Sequence, residues 1–539
     1  MESLALINGK IYVEKGIYAE GVYIEDGKVR LVGDGEEVLS KTDWDTDIID
    51  LQGKTVIPGL NDSHQHLIMV GSGLLQVKTS DVTSMEELIQ RCRDYIAEYP
   101  ERCKNGIYSC GWNQDLFQDE KRIPNRHDLD KISTEIPVVL SRVCGHVCSA
   151  NTKALEVKGV NSGTKVPGGT VETEADGSPS GIFTENAVPF IMSIIPPCTK
   201  EDLIRTFKIS QDYALSKGLT SVQSNDVGQC DLNMDDTFAM FHEIYESGIG
   251  KIRYRHQVCC PTPDDLQHFI DTELKSGKYD NRDLFDLGPV KLFKDGSLGG
   301  RTAMVRKEYE DDPGNFGVET TTNEEMDVLC KMAANAGLQV VTHVIGDAAI
   351  EAVVENYEKV SPAGNPLRHS LVHCQITDKP LLERIAEDNI LIQYQPVFLD
   401  YDMHAVVSRC GRELSSTSYA FKTARDLGIH VSYGTDSPVE DLNPFPNIYH
   451  AVTRKDKDGW PMFGFYPQEK VTVEEAIDDY TIGSAYCEFK EKLKGRIKPG
   501  YLADMVVLDK DIFTCDPDEI YDMEPVMTFI GGELVYQKK

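Results

Sequence analysis

A repeated alternation of strand-like and helix-like segments constrains this chain more than any other feature of its sequence. Residues 201–217 read as helix and 219–223 as strand, and 237–246 with 252–259 repeat the pair. A strand follows at 289–293. Helices at 324–336, 348–357, 379–388 and 419–427 then lead into strands at 338–343, 369–373, 390–394 and 429–433. With 55–60 placed first, the strands number eight. Such βα units imply a parallel sheet covered on its faces, and eight of them favour a closed TIM (β/α)8 barrel over an open sheet.

The spacing is uneven. Roughly 160 residues separate the first strand from the second, where one βα unit needs about 30. Residues from about 70 to 200 are therefore expected as an insertion after strand 1, a candidate lid or substrate wall. The two ends of the chain share another texture. Short apolar runs broken by Asn8-Gly9 and Asp26-Gly27 near the start are matched by 503–509 and 529–535 near the end. The expected organisation is thus an α/β chain. Residues 1–55 and 486–539 form one small β-sandwich domain, and 56–485 form the barrel.

Composition narrows the partners. The 539 residues carry 55 basic and 88 acidic side chains, for a net charge of −33. Such a field repels nucleic acid and anionic lipid. No apolar run reaches the length of a membrane span, and the first ten residues do not read as a signal peptide. The 14 cysteines, with Cys259 and Cys260 adjacent and no C-x-x-C pair, suit a reduced cytoplasmic chain. A small-molecule substrate and a homodimer are the expected partners.

The chemistry-bearing residues lie at strand ends. Pro58-Gly59-Leu60-Asn61-Asp62-Ser63-His64-Gln65-His66 closes the first strand. Alternation points His64 and His66 to one side, where both can reach one metal. Lys291, within Val290-Lys291-Leu292-Phe293, would face the barrel interior. An ammonium there is costly unless paired or modified. It is either ion-paired or carboxylated to a carbamate that bridges two metals; Lys294 is the competing lysine. His343 and His373 each end a strand, 30 residues apart, which suits a shared metal. Asp436, in Tyr433-Gly434-Thr435-Asp436-Ser437-Pro438, ends the last strand and is placed to act as a general base.

These motifs together resemble the amidohydrolase superfamily, and within it the amidohydrolase-3 group that includes N-substituted formamide deformylase. The likeness extends to Val138–His146, to Lys291–Ala303 with Asp295-Gly296-Ser297, to Ile345-Gly346-Asp347, and to Gly495–Gly500 with Ala503-Asp504. The resemblance implies that His64, His66 and Asp436 hold the more buried metal. It implies that His343 and His373 hold a second, with carboxylated Lys291 between them. Trp112, His146, Asp295 and Arg301 are candidate substrate contacts. Zinc suits the ligand set, and iron, manganese or cobalt could replace it. The implied activity is hydrolysis of a non-peptide C–N bond, of amide, formamide or lactam type, by metal-activated water. Ester or deaminase chemistry on the same scaffold and a non-catalytic barrel are the alternatives.

Overall fold

The computed structural model describes residues 3–143, 145–276, 279 and 283–539. The chain divides into two compact units, Met1–Val70 with Phe207–Lys539, and Gly71–Thr206.

The first unit holds the barrel. Its strands are β1 (Leu60–Gln65), β2 (Leu219–Ser224), β3 (Arg253–His256), β4 (Val290–Phe293), β5 (Val340–Val344), β6 (Ser370–His373), β7 (Leu391–Tyr394) and β8 (Val431–Tyr433). Each pairs in parallel with the next: Leu60 with Leu219, Ser221 with Arg253, Lys291 with Val341, Val341 with Ser370, Leu371 with Ile392, and Ile392 with Val431. Between β3 and β4 the pairing passes through the short continuation Val258–Cys259, which sets Cys259 beside Lys291. Nearly every residue of these strands is buried, as a sheet covered on both faces requires.

The ring closes between β8 and β1 through the segments that carry the strand-end motifs. The Asp436 N–H donates to the His64 carbonyl at 2.8 Å, and the His66 N–H donates to Ser437 at 2.8 Å. Buried Asp62 accepts from the His64 N–H at 3.0 Å and from the Thr435 N–H and hydroxyl at 3.0 and 2.6 Å. Gly434 is needed at this seam. A Cβ there would lie 2.7 Å from both the Asp62 carboxylate and the His64 nitrogen.

The first strand begins later than the sequence suggests. Residues 55–60 are not one barrel strand. Thr55–Pro58 pairs in parallel with Lys10–Glu14 and antiparallel with Met505–Leu508, and only after Gly59 does the chain enter the barrel. That six-stranded sheet thus draws on both ends of the chain. A four-stranded sheet of Lys28–Gly33, Gly21–Glu25, Ser3–Ile7 and Thr46–Asp50 accompanies it. Leu4, Leu6, Val22, Ile24, Val56, Met505, Val507 and Phe529 join in one buried apolar cluster. Its members come from the two sheets.

The second unit is built on a five-stranded sheet in the order Gly169–Thr173, Pro179–Glu185, Val147–Ala150, Val138–Arg142, Ile107–Trp112. Alternation divides its side chains between two clusters. Val138 and Leu140 join Leu88, Trp112 and Phe117, while Val139 joins Cys148, Leu155 and Phe183. Among the described residues, no helix is long and apolar enough to cross a membrane.

Candidate metal centre

His64 and His66 leave the end of β1 on the same side, as two-residue spacing in an extended chain demands. Asp436 lies between them. His64 Nε2 is 3.2 Å and His66 Nε2 is 3.3 Å from Asp436 Oδ1. His373, at the end of β6, brings its Nε2 to 4.0 Å from Asp436 Oδ2. Ligand atoms of His64, His373 and Asp436 all fall within 4.8 Å of one another, the spacing a single cation can bridge. His343, at the end of β5, stacks edge-on against His373 with ring centroids 4.5 Å apart.

The backbone bends sharply where two of these side chains are presented. His373 has φ of 75° and Asp436 of 55°, left-handed values that non-glycine residues adopt at a cost. Strain of this kind is held in place by surrounding structure and collects at functional sites.

The outer nitrogens of the imidazoles are already committed. His64 Nδ1 is bonded to the Gln257 side-chain oxygen at 2.6 Å, His66 Nδ1 to the Asn225 carbonyl at 2.9 Å, and His373 Nδ1 to the Gln395 side-chain oxygen at 2.7 Å. Each acceptor fixes a proton on Nδ1 and turns the Nε2 lone pair inward, the usual arrangement behind a metal-binding histidine. His343 is held in the opposite sense. Its Nε2 faces the Gly296 carbonyl at 2.9 Å, so Nδ1 is the free ring atom. Gln257, Gln395 and Asn225 were not among the candidates read from sequence. For Gln257 and Gln395 the available signal was an amide side chain immediately after a barrel strand; Asn225 acts through its backbone carbonyl, which no side-chain pattern marks.

The electrostatics suit a cation. Burial, reinforced by the Lys291 ammonium, pulls His64 and His343 down to about 4. Burial and the neighbouring His343 hold His373 well below the ordinary imidazole value. At neutral pH these rings are neutral, the form that binds metal. Burial alone would raise Asp436, but its contacts with His64 and His66 hold the carboxyl well below the usual range, so it stays ionised, and the same contact raises His66 above the ordinary imidazole value against the opposing effect of burial.

Lys291 is fully buried, its Nζ has no hydrogen-bond partner among the described residues, and it lies 4.0 Å from the centroid of the Phe293 ring. Burial lowers it to about 8. His373 Nε2 is likewise buried without a hydrogen-bond partner among the described residues. Orphaned polar atoms on facing walls are expensive unless something occupies the space between them. The residues present therefore fit a metal group. Lys294 differs. Its Nζ is tied to Glu319 at 2.6 Å, Asn323 at 2.6 Å and the Thr321 carbonyl at 2.9 Å.

The four candidate substrate contacts have other surroundings. Trp112 is buried in the core of the second unit, its indole N–H donating to the Leu140 carbonyl at 2.9 Å. His146 is exposed and faces Glu185 at 3.1 Å. Arg301 pairs with Asp311 at 2.8 Å. Asp295 is buried and accepts from backbone N–H groups. Cys144, part of the motif around His146, lies outside the described residues.

A parallel barrel that gathers histidines, a lysine and an aspartate at the C-terminal ends of its strands defines a class, the TIM-barrel metal-dependent hydrolases. The chain belongs to the amidohydrolase family, whose model matches residues 47–536. It is similar to YtcJ of Bacillus subtilis, at 33% identity over 98% of each chain. It is also similar to N-substituted formamide deformylase of Arthrobacter pascens, at 26% identity over 100% of this chain and 99% of that one. An uncharacterized metal-dependent hydrolase from Pyrococcus furiosus superposes with a TM-score of 0.78. That match has 30% identity and covers 95% of this chain and 100% of the other.

Proposed function

We propose that this amidohydrolase cleaves a non-peptide C–N bond of a small amide, formamide or lactam, using divalent metal held by His64, His66, Lys291, His343, His373 and Asp436. One observation carries the reading. Three imidazole Nε2 atoms converge on the Asp436 carboxylate while every Nδ1 behind them is already bonded. His64, His66 and Asp436 would hold one ion, and His343 with His373 a second. Zinc is the proposed metal, since imidazole and carboxylate donors suit it. When bound, the metal lowers the pKa of a coordinated water towards about 7 and polarises the scissile carbonyl.

The chain's own residues supply the rest. Gln257, Gln395 and the Asn225 carbonyl keep the ring tautomers fixed, so the lone pairs need no reorganisation. Lys291, lowered to about 8, keeps a larger unprotonated fraction near neutrality than an ordinary lysine, about a tenth at pH 7. Its free amine can add carbon dioxide and release one proton to solvent, and the carbamate so formed would give this side chain an anionic head able to ligate metal. Asp436, ionised and aimed at the same space, takes a proton from the attacking water and returns it to the leaving nitrogen. Residues 1–55 and 486–539 complete the assignment as a small β-sandwich domain.

The test is Asp436→Asn. It should bind metal more weakly, through the imidazoles and the remaining amide oxygen, and, once saturated with metal, lose turnover by about 10³-fold, within the range of general acid–base catalysis. Near-normal turnover would remove Asp436 from this role. A substrate panel setting N-substituted formamides and lactams against carboxylic esters tests the bond type, and faster ester cleavage would overturn the C–N assignment.

A further inference from the structure

Asp295 follows β4 and leads into the loop that lies against the end of β5. Its side chain is fully buried, and its oxygens are taken by the backbone. Oδ1 accepts from the Ile345 N–H at 3.0 Å, and Oδ2 accepts from Gly346 at 2.8 Å and Met304 at 2.9 Å. One carboxylate thus fastens both flanks of a close crossing. At Gly346 a Cβ would sit 1.8 Å from the Met304 carbonyl oxygen, so the loop can lie this near only because that residue is glycine.

The same anchor fixes His343. Asp295 Oδ1 stands 3.7 Å from His343 Nε2, and the carbonyl of the next residue, Gly296, meets that nitrogen at 2.9 Å. Ile345, two residues beyond His343, is held by the same carboxylate. The imidazole is therefore gripped at its Nε2 edge by the segment that Asp295 pins down. Its Nδ1 has no hydrogen-bond partner among the described residues, and its ring packs against His373.

We propose that Asp295 is a positioning residue for the metal centre. It acts through Gly296 and the 345–346 backbone to hold His343 with Nδ1 facing the second ion, and it does not contact substrate. This rests on the reading of His343 as a ligand. Asp295→Asn replaces one acceptor oxygen with an N–H2 group, which must face at least one of the three backbone donors.

The experiment measures metal per chain in purified holoenzyme, alongside thermal stability, for the wild type and three variants. Two equivalents are expected in the wild type, one in Asp295→Asn and one in His343→Asn. Asp347→Asn is the control. Asp347 binds the Arg306 N–H and Nε of the same loop, both at 2.9 Å, without touching His343, and this variant should keep two. Two equivalents retained in His343→Asn would overturn the ligand reading itself. One lost in His343→Asn but none in Asp295→Asn would overturn the positioning role alone. Loss in Asp347→Asn as well would reduce Asp295 to general loop order, and a single equivalent in the wild type would overturn both. Should Asp295→Asn fail to fold, ¹⁵N shifts of the wild-type imidazole decide. A proton on Nε2 with Nδ1 on metal is expected, and the reverse tautomer overturns the proposal.

Discussion

At the N-terminal ends of the barrel strands, buried charges come in satisfied sets. Arg253 and Asp504 share a two-point contact at 2.6 and 2.8 Å. Lys494 reaches Glu488 at 2.8 Å and the Ser221 hydroxyl at 2.6 Å, and Asn61 donates to the same glutamate at 2.5 Å. At the C-terminal ends, Lys291 Nζ, His373 Nε2 and both amide atoms of Asn225 are just as buried and have no hydrogen-bond partner among the described residues. Both ends pay the cost of removing polar groups from water; at the N-terminal ends these charged groups recover it in ion pairs, leaving single atoms such as Asn61 Oδ1 and Arg255 Nε unmatched, whereas the Lys291 amine recovers none of it in hydrogen bonds. The contrast separates a polar plug that closes the barrel from a set of donors arranged around something else.

The comparison can be broken at either end. Lys291→Met is expected to cost the most activity, about 10³-fold or more in kcat/KM, because it removes a ligand from the centre. Yet it should leave the metal-free chain at least as stable, since it replaces an unpartnered amine with an apolar chain of similar length. Metal-free samples compared by urea unfolding test this, and a large loss of stability would show that Lys291 has a structural partner. Lys494→Met should do the opposite. It strands Glu488 in the interior and should cost about 3–5 kcal/mol of stability while leaving metal content intact. Unchanged stability there would end the distinction between the two ends.

The smallest effect concerns Glu440, beyond β8. Burial, then Asp400, Asp402 and Asp441, raise its carboxyl to about 7. Between about 4.5 and 7 the native chain keeps a proton that the unfolded chain has shed. Its contribution therefore makes stability fall as pH rises through that window. Glu440→Gln should flatten this fall in denaturation curves at pH 4.5 and 7, with no gain at the lower pH. An equal fall in both proteins would show that the carboxyl is paired.

Much of the barrel could be read locally. β2 to β8 lie within a residue or two of the segments expected from apolar periodicity, except that the expected 252–259 is split into β3 and the continuation Val258–Cys259, and the strand-end histidines fall where that reading sets them. The first strand was misplaced because 55–58 and 60–65 are both buried and differ only in which strands they pair with, a long-range matter. Trp112 is a candidate substrate contact in sequence because it falls in the insertion after strand 1. Its neighbours in the second unit make it core. Sequence places Lys294 three residues beyond Lys291, on the opposite face and nearer the loop, but only the packing of Glu319 and Asn323 around Lys294 tells a satisfied ammonium from an orphaned one.

By itself, then, the sequence determined the class of fold and the set of groups available for chemistry, because strand periodicity and residue type are properties of neighbours along the chain. Tertiary structure decided which nitrogen of each imidazole faces inward, which lysine is left without a partner, and that Asp295 grips backbone. Those outcomes depend on side chains as many as 193 residues apart, as with His64 and Gln257, meeting at hydrogen-bond distance. Only the register of the closed barrel brings them together.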